Sequence, residues 1–272
     1  MPLTLKKVDY SYQPGTVLQT LALSAVSLTL EPGEFVGLMG PTGCGKSTLL
    51  QIAAGLVPPQ RGSVHSDGTA GMVFQNPDHQ LFESTLEREA AFAPKCQGLS
   101  DDAVRERVDE ALRAVGLDSP GLRERSPFAL SGGEKRRAAL AGILAMDPQY
   151  LLLDEPLAGL DPEGVEILLE CLHERCRKGT AVLMAAHDPD TVCEHASRVI
   201  RMDAGRIVFD GTPEAAFGEG CPAGTDPADL GHVREAVVCL REAGIRLPEG
   251  ITRFRELAAA LRQVLEERNA HV

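Results

Sequence analysis

Aromatic residues are scarce in this chain. They make up 4% of its 272 residues, with no tryptophan and three tyrosines, so each tyrosine is worth placing. The seven cysteines form no CxxC pair and are odd in number. That excludes a disulfide framework or zinc ribbon and points to a reducing compartment. No apolar run approaches the ~18–20 residues that a bilayer-crossing helix needs; runs such as Ala138–Met146 fall far short. The opening stretch, MPLTLKKVDYSY, lacks the apolar core of a secretory signal. Positive charge is short too: 27 Lys and Arg against 39 Asp and Glu leave a formal −12. Covering nucleic-acid phosphates needs a basic surface, so no nucleic-acid partner is expected. Internal repeats and low-complexity tracts are absent.

What is present is an ordinary globular composition, 43% apolar and 24% charged, which requires a packed core. The length suits one large domain, or one domain with an appendage. Phe35–Met39, Tyr150–Leu153 and Ala181–Ala185 read as short buried strands. Helices are expected from Lys46 to about Ala54, over Glu134–Ala145 and over Pro162–Arg177. Strand and helix alternating in this way imply a parallel sheet covered by helices. Residues 86–130 are charged and mostly helical; Val104, Val108, Leu112 and Val115 form one buried stripe, with Gly116 as a C-cap. Gly218–Asp229 reads as a linker. Beyond it, Leu230–Ala243 and Thr252–Arg268 read as helices, the second with an apolar stripe of Phe254, Leu257, Ala258, Leu261, Val264 and Leu265. So short a piece must dock on the main domain or on a partner.

Three motifs carry chemistry. Gly40-Pro41-Thr42-Gly43-Cys44-Gly45-Lys46-Ser47, followed by Thr48, fits G-x-x-x-x-G-K-[ST] between a strand and a helix. Glycines there let successive N–H groups converge on a phosphate, and the helix adds its positive dipole end. Lys46 would bridge the β and γ phosphates and Ser47 would offer its hydroxyl to Mg²⁺. Cys44 sits among those N–H groups; it either merely fits as a small residue or has a lowered thiol pKa and reacts fast. Tyr150-Leu-Leu-Leu-Asp154-Glu155 is an apolar strand ending in two carboxylates. Asp154 would hold the Mg²⁺ shell and Glu155 would act as general base on the attacking water. Leu130-Ser131-Gly132-Gly133-Glu134 opens another helix and forms a second small anion nest. His65, His79, His173, His195, His232 and His271 show no metal-binding spacing.

Taken together, these motifs resemble the ATP-binding-cassette ATPases, the nucleotide-binding subunits of membrane transporters. The resemblance runs from about residue 3 to about 215 and implies an α/β P-loop NTPase fold. Its parts would be a parallel core sheet, a small antiparallel β-subdomain, a helical subdomain over about residues 84–130 and a C-terminal helical appendage. The domain limits are then 3–217 for the ATPase, 218–229 for the linker and 230–272 for a helical dimerisation segment. The resemblance further implies that Tyr12 stacks on adenine and that Gln75 senses Mg²⁺ and the partner interface. Asp161, in Gly159-Leu-Asp161, would touch the opposite subunit, and His187 would contact the γ-phosphate. Two copies would pair head to tail, each ATP held by one phosphate loop and by Ser131–Gly133 of the other. A homodimer is favoured, since one chain carries a full set of motifs.

The stretch from Asn76 to Pro94, the continuation KRRAALAGILAMDP and the tail REAGIRLP are similar to the cassettes of energy-coupling-factor importers. That similarity implies a transmembrane coupling subunit docking near residues 75–94, a substrate-binding membrane subunit and a peripheral place on the cytoplasmic face of the membrane. Within that group the cobalt and nickel importers are the first choice and vitamin importers the alternative. A soluble non-transport cassette is the reading from a different class; it would carry long coiled coils or two ATPase halves, and neither is present. Gly62–Ala70 looks like a shortened hairpin, which puts the strands around Tyr12 in question. Leu157 stands where relatives often have Thr, and Ala186 where Thr or Ser is common.

Overall fold

The computed structural model describes residues 1–218 and 231–269. In chain order, β1 (Leu3–Tyr12) and β2 (Thr20–Leu30) lead to β3 (Phe35–Met39), α1 (Lys46–Ala53), β4 (Arg61–His65) and β5 (Ala70–Val73). The helical segment comprises α2 (Leu86–Cys96), α3 (Asp101–Ala114), α4 (Pro120–Arg123) and α5 (Gly132–Leu144). Then follow β6 (Tyr150–Asp154), α6 (Pro162–Arg177), β7 (Ala181–Ala185), α7 (Pro189–His195), β8 (Arg198–Asp203), β9 (Arg206–Gly211) and α8 (Pro213–Phe217). The chain closes with α9 (His232–Glu242) and α10 (Phe254–Asn269).

Six strands form the main sheet in the order β5-β6-β7-β3-β8-β9, parallel except for the β8–β9 hairpin. Both faces are covered, which is why its strands read as unbroken apolar runs. The pleat divides them. Leu151, Leu153, Val182 and Met184 face a core shared with α2, α3, α5 and α6. Tyr150, Leu152, Leu183, Val36 and Leu38 face a second core with α1 and the small sheet. Gly37 allows α7 close to the first face: a Cβ there would lie 2.4 Å from Val192 Cγ1.

The second sheet is antiparallel, ordered β2-β1-β4, and β1 pairs with β2 from Leu3↔Leu30 to Tyr12↔Thr20. The shortened segment after β4 therefore leaves Tyr12 at the end of the central strand, firmly paired, and the question raised over the strands around it is answered. In the helical segment, α3 ends as expected: Gly116 takes a left-handed φ of 68°, and Leu117 N–H reaches Leu112 O at 2.9 Å. Helix α5 starts two residues earlier than its periodicity suggests, because Ser131 caps it.

The expected linker lies outside the described residues except for Gly218. Helices α9 and α10 build a small separate core of Val233, Val237, Ile251, Leu257 and Ala260. This core is fastened to the main body by polar contacts. Asp190 accepts from His232 and Val233 N–H at 2.8 and 3.1 Å, Arg253 donates to Cys193 O at 2.8 Å, and Arg255 pairs with Glu194 at 3.1 Å. The predicted apolar stripe of α10 is not buried as a unit. Leu257 is buried, whereas Phe254 and Leu265 are exposed.

Candidate active site

The parallel strands deliver the motif residues to one edge of the main sheet. Ligands of open α/β sheets bind outside the carboxyl ends of the strands. At this edge lie the phosphate loop after β3, Gln75 after β5, Asp154 and Glu155 at the end of β6, and His187 after β7.

The phosphate loop is shaped by glycine. Gly45 adopts φ 107°, and a Cβ there would lie 2.3 Å from Ala22 O, so no larger residue fits. Lys46 opens α1, and its Nζ donates to Gly40 O at 2.7 Å and Pro41 O at 3.2 Å. The Tyr12 hydroxyl is bonded to Thr48 Oγ1 at 2.9 Å, and its ring stands edge-on to Tyr10 with centroids 5.2 Å apart. Tyr12 is 44% exposed beside the loop. Cys44 is a correction to the reactive alternative: it is 3% exposed, and burial pushes its thiol up despite the pull of Lys46. Burial therefore disfavours the thiolate there and favours the reading of a small residue that fits.

Asp154 is buried at the end of β6, with the Ser47 side chain close enough to favour its ionised form. Burial raises its pKa, and Glu155 adds to the rise, while Ser47, Lys46 and His187 oppose it. Glu155 has a left-handed backbone, φ 51°, that ends the strand. One oxygen of its carboxylate meets His187 Nε2 at 2.6 Å, and the other accepts from Gln75 Nε2 at 3.0 Å. Gln75 is held in place by its surroundings, since Gln80 spans the loop from Met72 O (2.9 Å) to Phe74 N–H (2.8 Å).

Ser131 caps α5 in a reciprocal box. Its hydroxyl accepts from Glu134 N–H at 3.3 Å, and Glu134 Oε2 accepts from Ser131 N–H at 2.8 Å. The Ser131 N–H and the Ser131 side chain, with Arg137 and Arg125 nearby, hold the Glu134 carboxyl below its usual range. Gly132 and Gly133 follow in the first turn, whose N–H groups have no partner within the helix. Leu160 Cδ2 lies 3.4 Å from where a Cβ on Gly133 would sit. The start of α5 therefore packs on the 156–161 loop, which ends with Asp161 capping α6 through Gly164 N–H at 3.0 Å.

Two residues escaped the sequence reading. Lys135 Nζ pairs with Asp78 at 2.9 Å, and the Arg136 guanidinium reaches Glu155 O at 2.5 Å and Gln75 O at 2.9 Å. Their place one turn after Ser131 was visible in the sequence, but which loops they face was not. Among the described residues no group of three or more His, Cys, Asp or Glu could hold a metal ion by itself.

The sequence profile of the ABC transporter family matches residues 23–158. An energy-coupling factor transporter ATP-binding protein, EcfA2 of Symbiobacterium thermophilum, is 42% identical over 98% of this chain and 98% of its own. This chain belongs to the energy-coupling factor branch of the ABC transporter ATP-binding proteins. Another such protein, EcfA2 of Streptococcus pneumoniae, is 39% identical over 94% of this chain and 99% of its own. Among solved structures, cbiO1 of Clostridium perfringens, part of the ABC transporter complex cbiONQ, superposes with a TM-score of 0.71 at 32% identity, covering 89% of this chain and 96% of its own. The dimeric cassette MJ0796 with bound ADP and phosphate superposes at 0.70, with 28% identity, 78% of this chain and 98% of its own. The chain is thus an ABC ATPase, a transporter subunit that hydrolyses ATP.

Proposed function

We propose that this chain powers uptake of a transition-metal ion, cobalt or nickel, through membrane partner subunits. Likeness to cbiO1, part of the ABC transporter complex cbiONQ, supports a place in such a membrane complex. Residues 3–217 would be the ATPase domain, with its helical subdomain at about 84–130, joined by 218–229 to a dimerisation segment at 230–272. Exposed Phe254, Val238 and Leu265 support that last assignment. The coupling subunit docks near residues 75–94. Phe82 and Phe92 support this, standing exposed and edge-to-face with centroids 4.7 Å apart. Such docking puts the chain on the cytoplasmic membrane face. No helix among the described residues could cross the bilayer itself.

The observation that carries the catalytic reading is the carboxylate of Glu155 held between His187 and Gln75, beside the phosphate loop. Glu155 accepts a proton from the attacking water as its oxygen bonds to the γ-phosphorus, and the bond to the ADP oxygen breaks. Lys46 and the N–H groups of residues 40–48 hold the β and γ phosphates, and Tyr12 offers a ring face to adenine. His187 contacts the γ-phosphate. Ser131, Gly132, Gly133 and Asp161 complete the site of a second copy, so each reaction centre spans two chains.

Mg²⁺ fits the residues present. Ser47 and Asp154 interact and offer two oxygens to one ion, and Gln75 brings an amide carbonyl oxygen to the same edge of the sheet. Few protein ligands are expected where phosphates supply the rest. Mg²⁺ would neutralise phosphate charge as the bond breaks. The test is reconstitution of the purified subunit with its co-purifying membrane proteins in liposomes. ATP-dependent uptake of Co²⁺ or Ni²⁺ is expected. Uptake of a labelled vitamin alone would reassign the cargo, and ATPase activity with no membrane partner recovered would reject the transport role.

A further inference from the structure

We propose that Arg136 is a positioning residue that ties the signature end of α5 to the catalytic carboxylate of the same chain. The guanidinium donates to the main-chain carbonyls of Glu155, at 2.5 Å, and Gln75, at 2.9 Å. Those carbonyls belong to two loops, after β6 and after β5, that share no strand pairing beyond the strand ends. A planar fork sets two separate nitrogens on the two carbonyls, Nη1 on Glu155 and Nη2 on Gln75, whereas a lysine would have to reach both from a single nitrogen.

Its backbone conformation makes Glu155 sensitive to this hold. A left-handed φ in a residue with a side chain is strained, by roughly 1–2 kcal/mol, and persists only where the surroundings fix it. Here both ends of the peptide unit are fixed: Glu155 N–H donates to Ala185 O at 3.1 Å, and Glu155 O receives Arg136. Glu155 O also receives Ala158 N–H at 3.3 Å, so loss of Arg136 removes the shorter of two bonds and loosens the carboxylate against His187 and Gln75. Arg136 is itself half-buried, facing carbonyls rather than a carboxylate, and burial pulls its pKa down while the Glu155 charge restores part of it. Desolvating a cation for two carbonyl contacts is expensive.

Position on the helix gives the contact its meaning. Ser131, Gly132 and Gly133 lie one turn before Arg136, and Lys135 anchors the same turn to Asp78 at 2.9 Å. If that turn clasps the nucleotide of the second copy, any displacement of α5 reaches Glu155 and Gln75 directly. The base of one centre then responds to occupancy of the other. This step rests on the reading of Glu155 as the base.

The test uses the full chain and single-turnover phosphate release with labelled ATP, for Arg136→Gln, Arg136→Lys, Glu155→Gln and the double variant Arg136→Gln/Glu155→Gln. Misplacing a catalytic group by about 1 Å costs up to about 10²-fold in rate, so Arg136→Gln should slow the chemical step by about 10–10²-fold. Its ATP affinity and ATP-dependent self-association should stay within about twofold of the parent, since a group acting on the chemical step alone changes kcat and not binding. Arg136→Lys, with one donor nitrogen in place of two, should fall between, and it carries the test if the glutamine variant does not fold. In the Glu155→Gln background, removing Arg136 should change the residual rate by less than about twofold, because the two act as a unit. A normal rate for Arg136→Gln, a loss that appears in ATP affinity alone, or full multiplication of the two losses in the double variant would each overturn the proposal. A near-normal rate for Glu155→Gln alone would instead remove the reading of Glu155 on which it rests.

Discussion

Replacing Glu155 by glutamine separates chemistry from architecture at this site. The carboxylate makes two contacts, 2.6 Å to His187 Nε2 and 3.0 Å to Gln75 Nε2. Glutamine has the same length and shape. Its amide oxygen can accept from Gln75, while its NH₂ can donate to Nε2 of a neutral imidazole protonated at Nδ1. Both contacts therefore survive, and with His187 half exposed the change in stability should stay within about 1 kcal/mol. What disappears is the proton acceptor. A positioned base contributes about 10²–10⁴-fold, which is about 2.7–5.4 kcal/mol of barrier at 1.36 kcal/mol per decade. Phosphate release should fall by that factor. Binding of a fluorescent ATP analogue should be unchanged, and size-exclusion chromatography with Mg-ATP should show a dimer that persists where the parent returns to monomer. Turnover within about threefold of the parent would refute the reasoning, because no base effect is that small. A fall in turnover matched by a fall in ATP affinity would refute it too, since the contacts counted here do not touch binding.

Asp154→Asn should raise the melting temperature without nucleotide, because the ionised carboxylate is held against burial and the Glu155 charge, and it should abolish the extra protection given by Mg²⁺ over ATP alone. Gly37→Ala should lower stability by about 1–3 kcal/mol in urea titration, the usual cost of overpacking, as the new Cβ would lie 2.4 Å from Val192 Cγ1. His173 and His195 share one hydrogen bond at 2.9 Å, and burial lowers both pKa values, with Arg177 adding to the effect at His173 and with His173 and Arg255 adding to it at His195. The unfolded chain then binds more protons, so stability should be full above an unfolded histidine pKa of about 6.5 and be lost as pH falls below it. His195→Gln should flatten that slope in thermal melts between pH 7.5 and 5.5, and an unchanged slope would assign the acid sensitivity elsewhere.

The strands were legible because two-sided burial leaves no alternation to misread. Phe35–Met39 and Ala181–Ala185 form as written, and Tyr150–Leu153 gains only Asp154. The phosphate loop and acid pair were legible because their chemistry dictates residue types at fixed spacing. Contacts that depend on packing between distant loops were not. Nothing in the sequence says that Arg136 faces Gln75 and Glu155, 61 and 19 positions away, or that Glu155 turns left-handed. The α10 stripe misled for a similar reason. Periodicity marks a face, but only tertiary contacts decide whether it is covered, and Phe254 and Leu265 are not. Cys44 shows a third limit: N–H groups nearby would lower a thiol pKa, yet burial outweighs them.

In the proposed reaction two neighbouring carboxylates do different work, and a single backbone angle separates them. Were β6 to continue, Asp154 and Glu155 would point to opposite faces of the sheet, one into each core, since successive side chains of a strand alternate. Instead Asp154 completes the strand, paired with Ala185 in β7, and its carboxylate lies buried against Ser47. The left-handed turn at Glu155 then throws the next side chain along the edge, where His187 and Gln75 meet it. Burial suits Asp154 to a cation, which relieves a charge that the protein alone holds badly. Partial exposure and two polar neighbours suit Glu155 to receive a proton and release it to water. Any substitution that lets residue 155 return to an extended conformation should therefore abolish turnover while leaving the Ser47–Asp154 contact, and with it Mg²⁺-dependent ATP binding, in place.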